Sequence, residues 1–474
     1  MPNLNIQKLR LRDYRCFEAI DLDFHARVTV LVASNGAGKT SILDAIAVAF
    51  GPYVGAFDES IGKSFKPSDI RLTAVRDTAS NEMEFAPKGI RLEATGHIPG
   101  TLLELLGEVP SNATWRRSLA GPTKAKTTIK DAKELIDFGK RQQVAVRTPG
   151  TDVMLPLLAY YGTSRLWQQK KLMEGKLPRT SRTIGYTDCL DPGSSYKIFE
   201  AWFRYWSTNA FKGQLEASKT GRRFEPTEFD HYLESVAEAV NTCLAPAGWG
   251  ELSYSLAREE LVAHHELHGE LPVSLLSDGI RNMIAMVADI AFRATKLNPH
   301  KGNRAAKETA GIVLIDEVEL HLHPEWQQVV MQCLTTAFPE LQFIVTTHSP
   351  QVLTSVDAAC IRKLRQFTDP ESHHTTTVVE PIQIQTRGVS SADLLAQIMG
   401  VDPVPDVPEA RKLSSYHALI QQNLHESEEG RALRAKLDAH FGAEHPVIRD
   451  CARMIRLQVF KQKLPLSIGE SPNA

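Results

Sequence analysis

The sequence predicts an α/β fold, a mixed sheet flanked by helices, with an inserted helical lobe and a helical C-terminal region. Three observations predict it. The apolar, β-branched run Val28-Thr29-Val30-Leu31-Val32 ends at a glycine-rich loop, and that loop opens a helical pattern with Ile42, Leu43, Ile46 and Phe50 apolar. Two further short apolar runs, 312–315 and 343–346, flank a helical stretch over 324–338, which is the alternation of a sheet with buried parallel strands. Residues 193–245 and 391–463 have helical spacing, the second broken near 400–408.

Each element has its own reason. Residues 4–11 and 27–33 read as strands, residues 155–161 form another apolar run, and 280–296 is helical. The 193–245 stretch is rich in aromatics, including Trp202, Tyr205 and Trp206. With 474 residues the chain exceeds what one compact core holds and predicts more than one lobe. We expect a split core over 1–100 and 250–385, an inserted basic and helical lobe over 101–249, and a helical partner-docking region over 386–474. There are no repeats and no heptad run, which excludes a long coiled-coil insertion.

Composition excludes several classes. The chain is 42% hydrophobic and 23% charged, ordinary for a globular protein. No apolar run approaches the ~20 residues of a membrane span, and residues 1–11 lack a signal-peptide core, so the expectation is a cytoplasmic protein. The cysteines Cys16, Cys189, Cys243, Cys333, Cys360 and Cys451 include no Cys-x-x-Cys pair, which argues against a zinc ribbon or a disulfide framework. Net charge is −2, yet residues 111–223 hold 21 Lys/Arg against 9 Asp/Glu, a net of +12. That asymmetry predicts a basic face.

Four motifs carry chemistry. In Ser34-Asn35-Gly36-Ala37-Gly38-Lys39-Thr40-Ser41, glycines let backbone N–H groups approach a nucleotide's phosphates at a helix N-terminus. Lys39 should reach the β- and γ-phosphates and Thr40 should ligate Mg²⁺. Ala33 stands where the first glycine of the usual pattern would be. In Ile312-Val313-Leu314-Ile315-Asp316-Glu317 a buried strand ends in two carboxylates, Asp316 placed to hold Mg²⁺ and Glu317 to orient or deprotonate water. Leu276-Ser277-Asp278-Gly279-Ile280-Arg281 opens a helix. Ser277 and Gly279 suit a γ-phosphate, although the same residues alone would serve as an ordinary N-cap. Thr346-Thr347-His348-Ser349-Pro350 follows a strand, where His348 is placed to sense a γ-phosphate. Read alone, such a histidine is more often a structural one.

The order of these four motifs is that of ABC ATPases, and the sequence resembles the SMC/RecF/OLD-like group of that superfamily. Leu9-x-Leu11-x-x-Tyr14-Arg15-Cys16-Phe17 is similar to the group's first strand, which implies Arg15 near the nucleotide. Asp316-Glu317-Val318-Glu319-Leu320-His321-Leu322-His323-Pro324 resembles the OLD-like run through the D-loop, with Val318 in place of a proline. The resemblance implies an ABC-type ATPase head in which ATP is sandwiched between Walker A of one copy and the Ser277 signature of another, in a homodimer or higher homo-oligomer. It also implies slow hydrolysis with Lys39, Glu317 and His348 catalytic.

OLD nucleases add a Toprim domain that needs an Asp-x-Asp pair; the only one here, Asp21-Leu22-Asp23, is near the N-terminus. No nuclease site is therefore evident. The tail around Arg387–Leu395, Phe441–Pro446 and Ile455–Gln458 is similar to that of Septu-type (PtuA) and retron-linked anti-phage ATPases. That similarity implies an ATPase controlling a separate, PtuB-like HNH nuclease docked on the C-terminal region. A helical cap on the core is the plainer reading of the same tail. The basic segment 111–223 includes Arg116, Arg117, Lys124, Lys126, Lys130, Lys133, Lys140, Arg141, Lys170, Lys171, Lys176, Arg179 and Arg182, with Trp115 and Trp167 among them. It suits nucleic-acid phosphates and bases, or else is a solvated face. Arg165 has no assigned role. The rival readings are a RecF-like DNA repair ATPase acting directly on DNA, and a non-hydrolysing scaffold.

Overall fold

The computed structural model describes residues 3–58, 60–74, 83–100, 112–123, 126–163, 181–193, 196–368 and 375–463. The chain divides into two compact units, Met1–Met399 and Gly400–Ala474. In chain order the strands of the first unit are β1 (Lys8–Tyr14), β2 (Phe17–Asp23), β3 (Val28–Val32), β4 (Leu72–Ala74), β5 (Met83–Phe85), β6 (Ile90–Gly96), β7 (Ala113–Leu119) and β8 (Leu157–Tyr161). They continue with β9 (Trp249–Ser255), β10 (Glu260–His265), β11 (Gly269–Pro272), β12 (Gly311–Ile315), β13 (Leu341–Thr347), β14 (Ile361–Thr368) and β15 (Thr375–Pro381).

The central sheet has the order β15-β14-β3-β13-β12-β8. Strands β14, β3, β13, β12 and β8 run parallel to their neighbours, and β15 closes one edge antiparallel to β14. The sequence explains the placement. β8, β12 and β13 are buried at every position, as strands covered on both faces must be. β1 alternates exposed and buried residues and belongs to an antiparallel sheet, β2-β1-β6-β7, that is wet on one face. A third sheet, β11-β10-β9, precedes the Ser277 segment, and β4 pairs with β5.

Helix α1 (Lys39–Val54) is buried along almost its whole length between the sheets. α2 (Lys133–Arg147) lies against it, and a Cβ at Gly139 would press on Ala56 and Tyr53, so glycine permits the close approach. α3 (Tyr196–Thr220) and α4 (Glu228–Leu244) pack on α5 (Asp278–Leu297) through an aromatic group in which Trp206 and Phe292 rings lie 5.5 Å apart. α6 (Pro324–Ala337) connects β12 to β13.

Two boundaries differ from the expected ones. Of the segment read as an inserted lobe, β7, α2 and β8 belong to the core. β7 pairs with β6, placing Ala94 opposite Trp115, and β8 pairs with β12, placing Tyr161 opposite Ile315. The β8–β12 partners are distant in sequence, and periodicity alone does not say which strands meet. The helical addition is the narrower α3–α4 pair. Residues 386–399 likewise stay with the first unit, because Leu394 and Ile398 enter its core. The second unit is three helices, α7 (Pro408–Gln421), α8 (Glu428–Phe441) and α9 (Pro446–Lys463), around Tyr416, Ile420, Leu437, Ile448 and Cys451. Among the described residues no helix is long and apolar enough to cross a membrane.

Gly311 begins β12 at φ +151°, and a Cβ there would fall on the Leu157 backbone of β8. Gly311→Ala should therefore lower unfolding free energy by about 3 kcal/mol. Gly150→Ala, at φ +78° with open space around it, should cost only about 1 kcal/mol. Denaturant unfolding of both variants checks this. Equal losses would show that the β12–β8 approach is not what demands glycine.

Candidate nucleotide site

The glycine loop connects β3 to α1. Gly36 and Gly38 have φ +78° and +95°, the left-handed region that glycine enters without strain. Gly38 has a second constraint: a Cβ there would meet the Phe17 ring and Cys16 Sγ, so the Cys16-Phe17 turn lies directly against the loop. Ser34, Asn35 and Gly36 are exposed, and Ala37 is fully buried. Lys39 sits at the start of α1, where its Nζ donates to the carbonyls of Ala33 (2.8 Å) and Ser34 (3.2 Å). Burial lowers the Lys39 pKa, opposed by the negative charges of Asp316, Glu317 and Glu319. An ammonium partly stripped of water and held only by carbonyls is ready to exchange them for phosphate oxygens.

Asp316 follows β12 and is 3% exposed. Its backbone N–H donates to Tyr161 O of β8 at 2.8 Å. Thr40 Oγ1 donates to one carboxylate oxygen at 2.7 Å and Thr346 Oγ1 to the other at 2.6 Å. The two residues predicted to hold Mg²⁺, Thr40 and Asp316, are thus in contact although 276 positions apart. Their donors are all oxygens, the set a hard divalent cation takes. Glu317 has φ +48°, a conformation that costs a non-glycine residue energy and concentrates at functional sites. Its N–H donates to Thr346 Oγ1 at 2.8 Å, which fixes the turn.

Thr346 is the residue that sequence reasoning passed over. One hydroxyl accepts from Glu317 N–H and donates to Asp316, holding both carboxylates in register. The signal was a threonine ending a buried strand. A second such residue is Glu319, whose carboxylate accepts from Thr347 Oγ1 (2.8 Å) and from His348 N–H (2.5 Å). Burial raises the Glu319 pKa, and these hydrogen bonds act against it. His348 itself is exposed at the end of β13.

Arg15, at φ +48°, lies beside α1. Its guanidinium contacts Asp69 (2.9 Å), Asp44 (2.7 Å) and Ser41 Oγ (3.5 Å), and Lys63 shares Asp44 at 2.6 Å. Arg15 is thus near the loop but held by two carboxylates. Ser277 is the backbone N-cap of α5, yet its side chain makes no capping hydrogen bond and is exposed. The plain N-cap reading therefore leaves its hydroxyl unexplained. Gly279 lies against the segment after Glu317: a Cβ there would meet His321 O, and Asn282 Nδ2 donates to Leu320 O at 3.1 Å.

The basic segment divides. Trp115 is buried and donates from Nε1 to Ala49 O at 3.0 Å, so it is a core residue and not a stacking platform. Arg117, pushed down to about 10 by burial, donates to Val48 O and Thr128 O at 2.8 Å each, and Arg182 donates to Leu297 O and Val153 O. These cations anchor backbone. Arg116, Lys126, Lys130, Lys133, Lys140 and Arg141 are exposed. Lys124, Arg165, Trp167, Lys170, Lys171, Lys176 and Arg179 lie outside the described residues.

A protein-family model described as an AAA domain matches residues 8–219, and one described as an AAA domain, putative AbiEii toxin, Type IV TA system, matches residues 253–354. The chain is 25% identical to the retron Ec83 probable ATPase of Escherichia coli, over 97% of this chain and 88% of that one. It is 26% identical to Septu protein PtuA of Bacillus thuringiensis over 40% and 46% of the two chains, and 24% identical to the OLD nuclease of Thermus scotoductus over 73% and 59%.

Thr346→Val keeps shape and removes the bridging hydroxyl. ATP turnover should fall about 10- to 100-fold with nucleotide binding retained, the usual cost of losing an outer partner of a carboxylate if Asp316 holds Mg²⁺ as predicted. Thr346→Ser should restore it. Unchanged steady-state turnover in the valine variant would remove Thr346 from the site.

Proposed function

We propose that this chain is an ABC-type ATPase of the OLD-like group, an ATP-driven switch of an anti-phage defence complex that closes between two copies and controls a separate HNH nuclease; similarity to AAA-domain models, to a retron ATPase and to an OLD nuclease supports the ATPase reading. The observation that carries the switch is the pairing of a complete phosphate loop and carboxylate pair with a signature serine whose hydroxyl is left exposed and uncapped. A hydroxyl and a helix N-terminus facing outward suit the γ-phosphate of a nucleotide held by another copy.

In this reading the loop N–H groups and Lys39 bind the β- and γ-phosphates of ATP, and Ser277 and Gly279 of the second copy close over the γ-phosphate. Thr40 and Asp316 would hold Mg²⁺, which when bound neutralises charge on the phosphates. Glu317, aimed by its left-handed turn and by Thr346, accepts a proton from the attacking water. His348 orients the γ-phosphate from the end of β13. Arg15 steadies α1 behind the loop through Asp44. Similarity to the retron and Septu ATPases supports the defence role, and the compact three-helix unit beyond Met399 is the candidate dock for the nuclease.

Two measurements test this. Glu317→Gln should bind ATP and stall closed, so that light scattering with ATP and Mg²⁺ gives at least twice the monomer mass, while ADP does not. No ATP-dependent change in mass would sink the sandwich, and unaltered defence by this variant would favour a scaffold. A chain ending at Met399 should keep ATP turnover and lose co-purification with an HNH nuclease encoded beside it. Retained nuclease binding would sink the docking assignment.

A further inference from the structure

The sheet β2-β1-β6-β7 buries one face in the core and leaves the other open. Strand register arranges the open face in rows. Asp21, Arg10, Glu93 and Arg116 form one row, and Ala19, Arg12, Arg91 and Ser118 form the next. The first row is balanced in charge: Arg10 and Arg116 share Glu93 at 3.1 and 2.6 Å. The second is not. Arg12 stands directly opposite Arg91, and like charges so placed repel. Arg12 reaches across to Asp21 at 2.9 Å, a carboxylate it shares with Arg10. Among the described residues no ion pair reaches Arg91, which is exposed. A concavity of about 440 Å³ lies over these rows, lined by Arg10, Arg12, Arg91, Arg116, Ser118 and Asp131 among others. Lys130 and Lys133, both exposed, flank Asp131.

Every cation lining this concavity is an arginine, whose planar fork matches phosphate oxygens in pairs. Same-face residues of one strand, such as Lys8, Arg10 and Arg12, repeat at about 7 Å, the scale on which phosphates follow one another along a nucleic-acid strand. Asp21 relieves the opposed Arg12 and Arg91 only from the Arg12 side, so an anion placed between the two would find Arg91 without a carboxylate partner among the described residues. We propose that this open sheet face binds the sugar–phosphate backbone of a nucleic-acid strand, with Arg12 and Arg91 taking one phosphate and Arg116 and Lys130 extending the contact. An open, row-patterned surface suits a polymer, because a single phosphate is held better by an enclosed cradle. The surface differs from the expected one: Arg10, Arg12 and Arg91 lie outside the basic segment, and only its exposed part contributes. Binding here serves an ATP switch or a repair ATPase equally, so failure of this proposal leaves the ATP-sandwich reading standing.

The test is fluorescence anisotropy of the full chain with labelled single-stranded DNA, RNA and duplex DNA of one length, across a salt series. At least one should bind with log affinity falling linearly with log salt. Arg12→Gln/Arg91→Gln should weaken it at least tenfold and reduce the salt slope by about 2, with ATP turnover and melting temperature unchanged. Glu93→Gln releases Arg10 and Arg116 and should tighten binding, which keeps the proposal testable should the double variant fold poorly. Arg365→Ala, an exposed arginine of β14 outside this sheet, should change nothing. Inorganic phosphate is the other source of the same chemistry, and at matched ionic strength it should leave oligonucleotide binding within twofold. No binding by any of the three nucleic acids, equal binding by the double variant, no gain with Glu93→Gln, or displacement by inorganic phosphate would each overturn the proposal.

Discussion

The site depends on one interaction, the capture of the Asp316 carboxylate between two hydroxyls from opposite sides. Thr40 comes from the first turn of α1 and Thr346 from the end of β13, so loop, carboxylate strand and neighbouring strand are tied at one point. A carboxylate 3% exposed would carry a heavy desolvation cost without such partners. The parallel order β3-β13-β12-β8 makes the capture possible. It places the ends of β3, β13 and β12 side by side at one edge of the sheet, where ligands bind in open parallel sheets. Even the backbone is fixed there, through Asp316 N–H to Tyr161 O on β8.

The segment after Glu317 is tied to both motifs beside it. Glu319 holds the backbone of His348 and the hydroxyl of Thr347, and Gln327 joins Ser349 Oγ at 2.6 Å while donating to Leu322 O. On its other side α5 approaches through Gly279 and Asn282. Residues that would face the chain's own nucleotide and residues that would face a partner's are therefore anchored to one short stretch, 319–327. A displacement of this stretch would reach both sets, which is what the proposed coupling of two sites would require.

Much of this was legible in the sequence. The glycine loop, Asp316 and Glu317 stand out in the sequence as candidates because phosphate chemistry restricts residue types at fixed spacing, and the structure brings Thr40 of the loop against Asp316. Thr346 and Glu319 did not, because a threonine or glutamate has many ordinary uses and only tertiary register gives these two their partners. The same limit hid β7 and β8 in what reads as an inserted lobe: Trp115 among arginines looks like a nucleic-acid platform until pairing with β6 turns it inward against Ala49. Charge content was visible in the sequence, whereas its distribution over rows of a sheet was not.

The pairing that best shows how far the site reaches into the fold lies behind it. Asp289 of α5 accepts from Arg293 Nε at 2.7 Å and from Tyr161 OH at 2.8 Å, all three essentially out of water. A buried ion pair is weak evidence for stability, since apolar residues of the same volume often serve as well. Its worth here is positional. Tyr161 O receives the Asp316 N–H, and Tyr161 OH is bonded to the helix that begins at the Ser277 signature. Arg293 also donates to Gly185 O and Thr187 O, tying that neighbouring turn to the same helix. An apolar replacement would keep the packing and lose the angular fix between α5 and β8. The proposed sandwich asks for Ser277 presented outward while Asp316 stays seated, and in that reading the buried charges serve geometry more than folding energy.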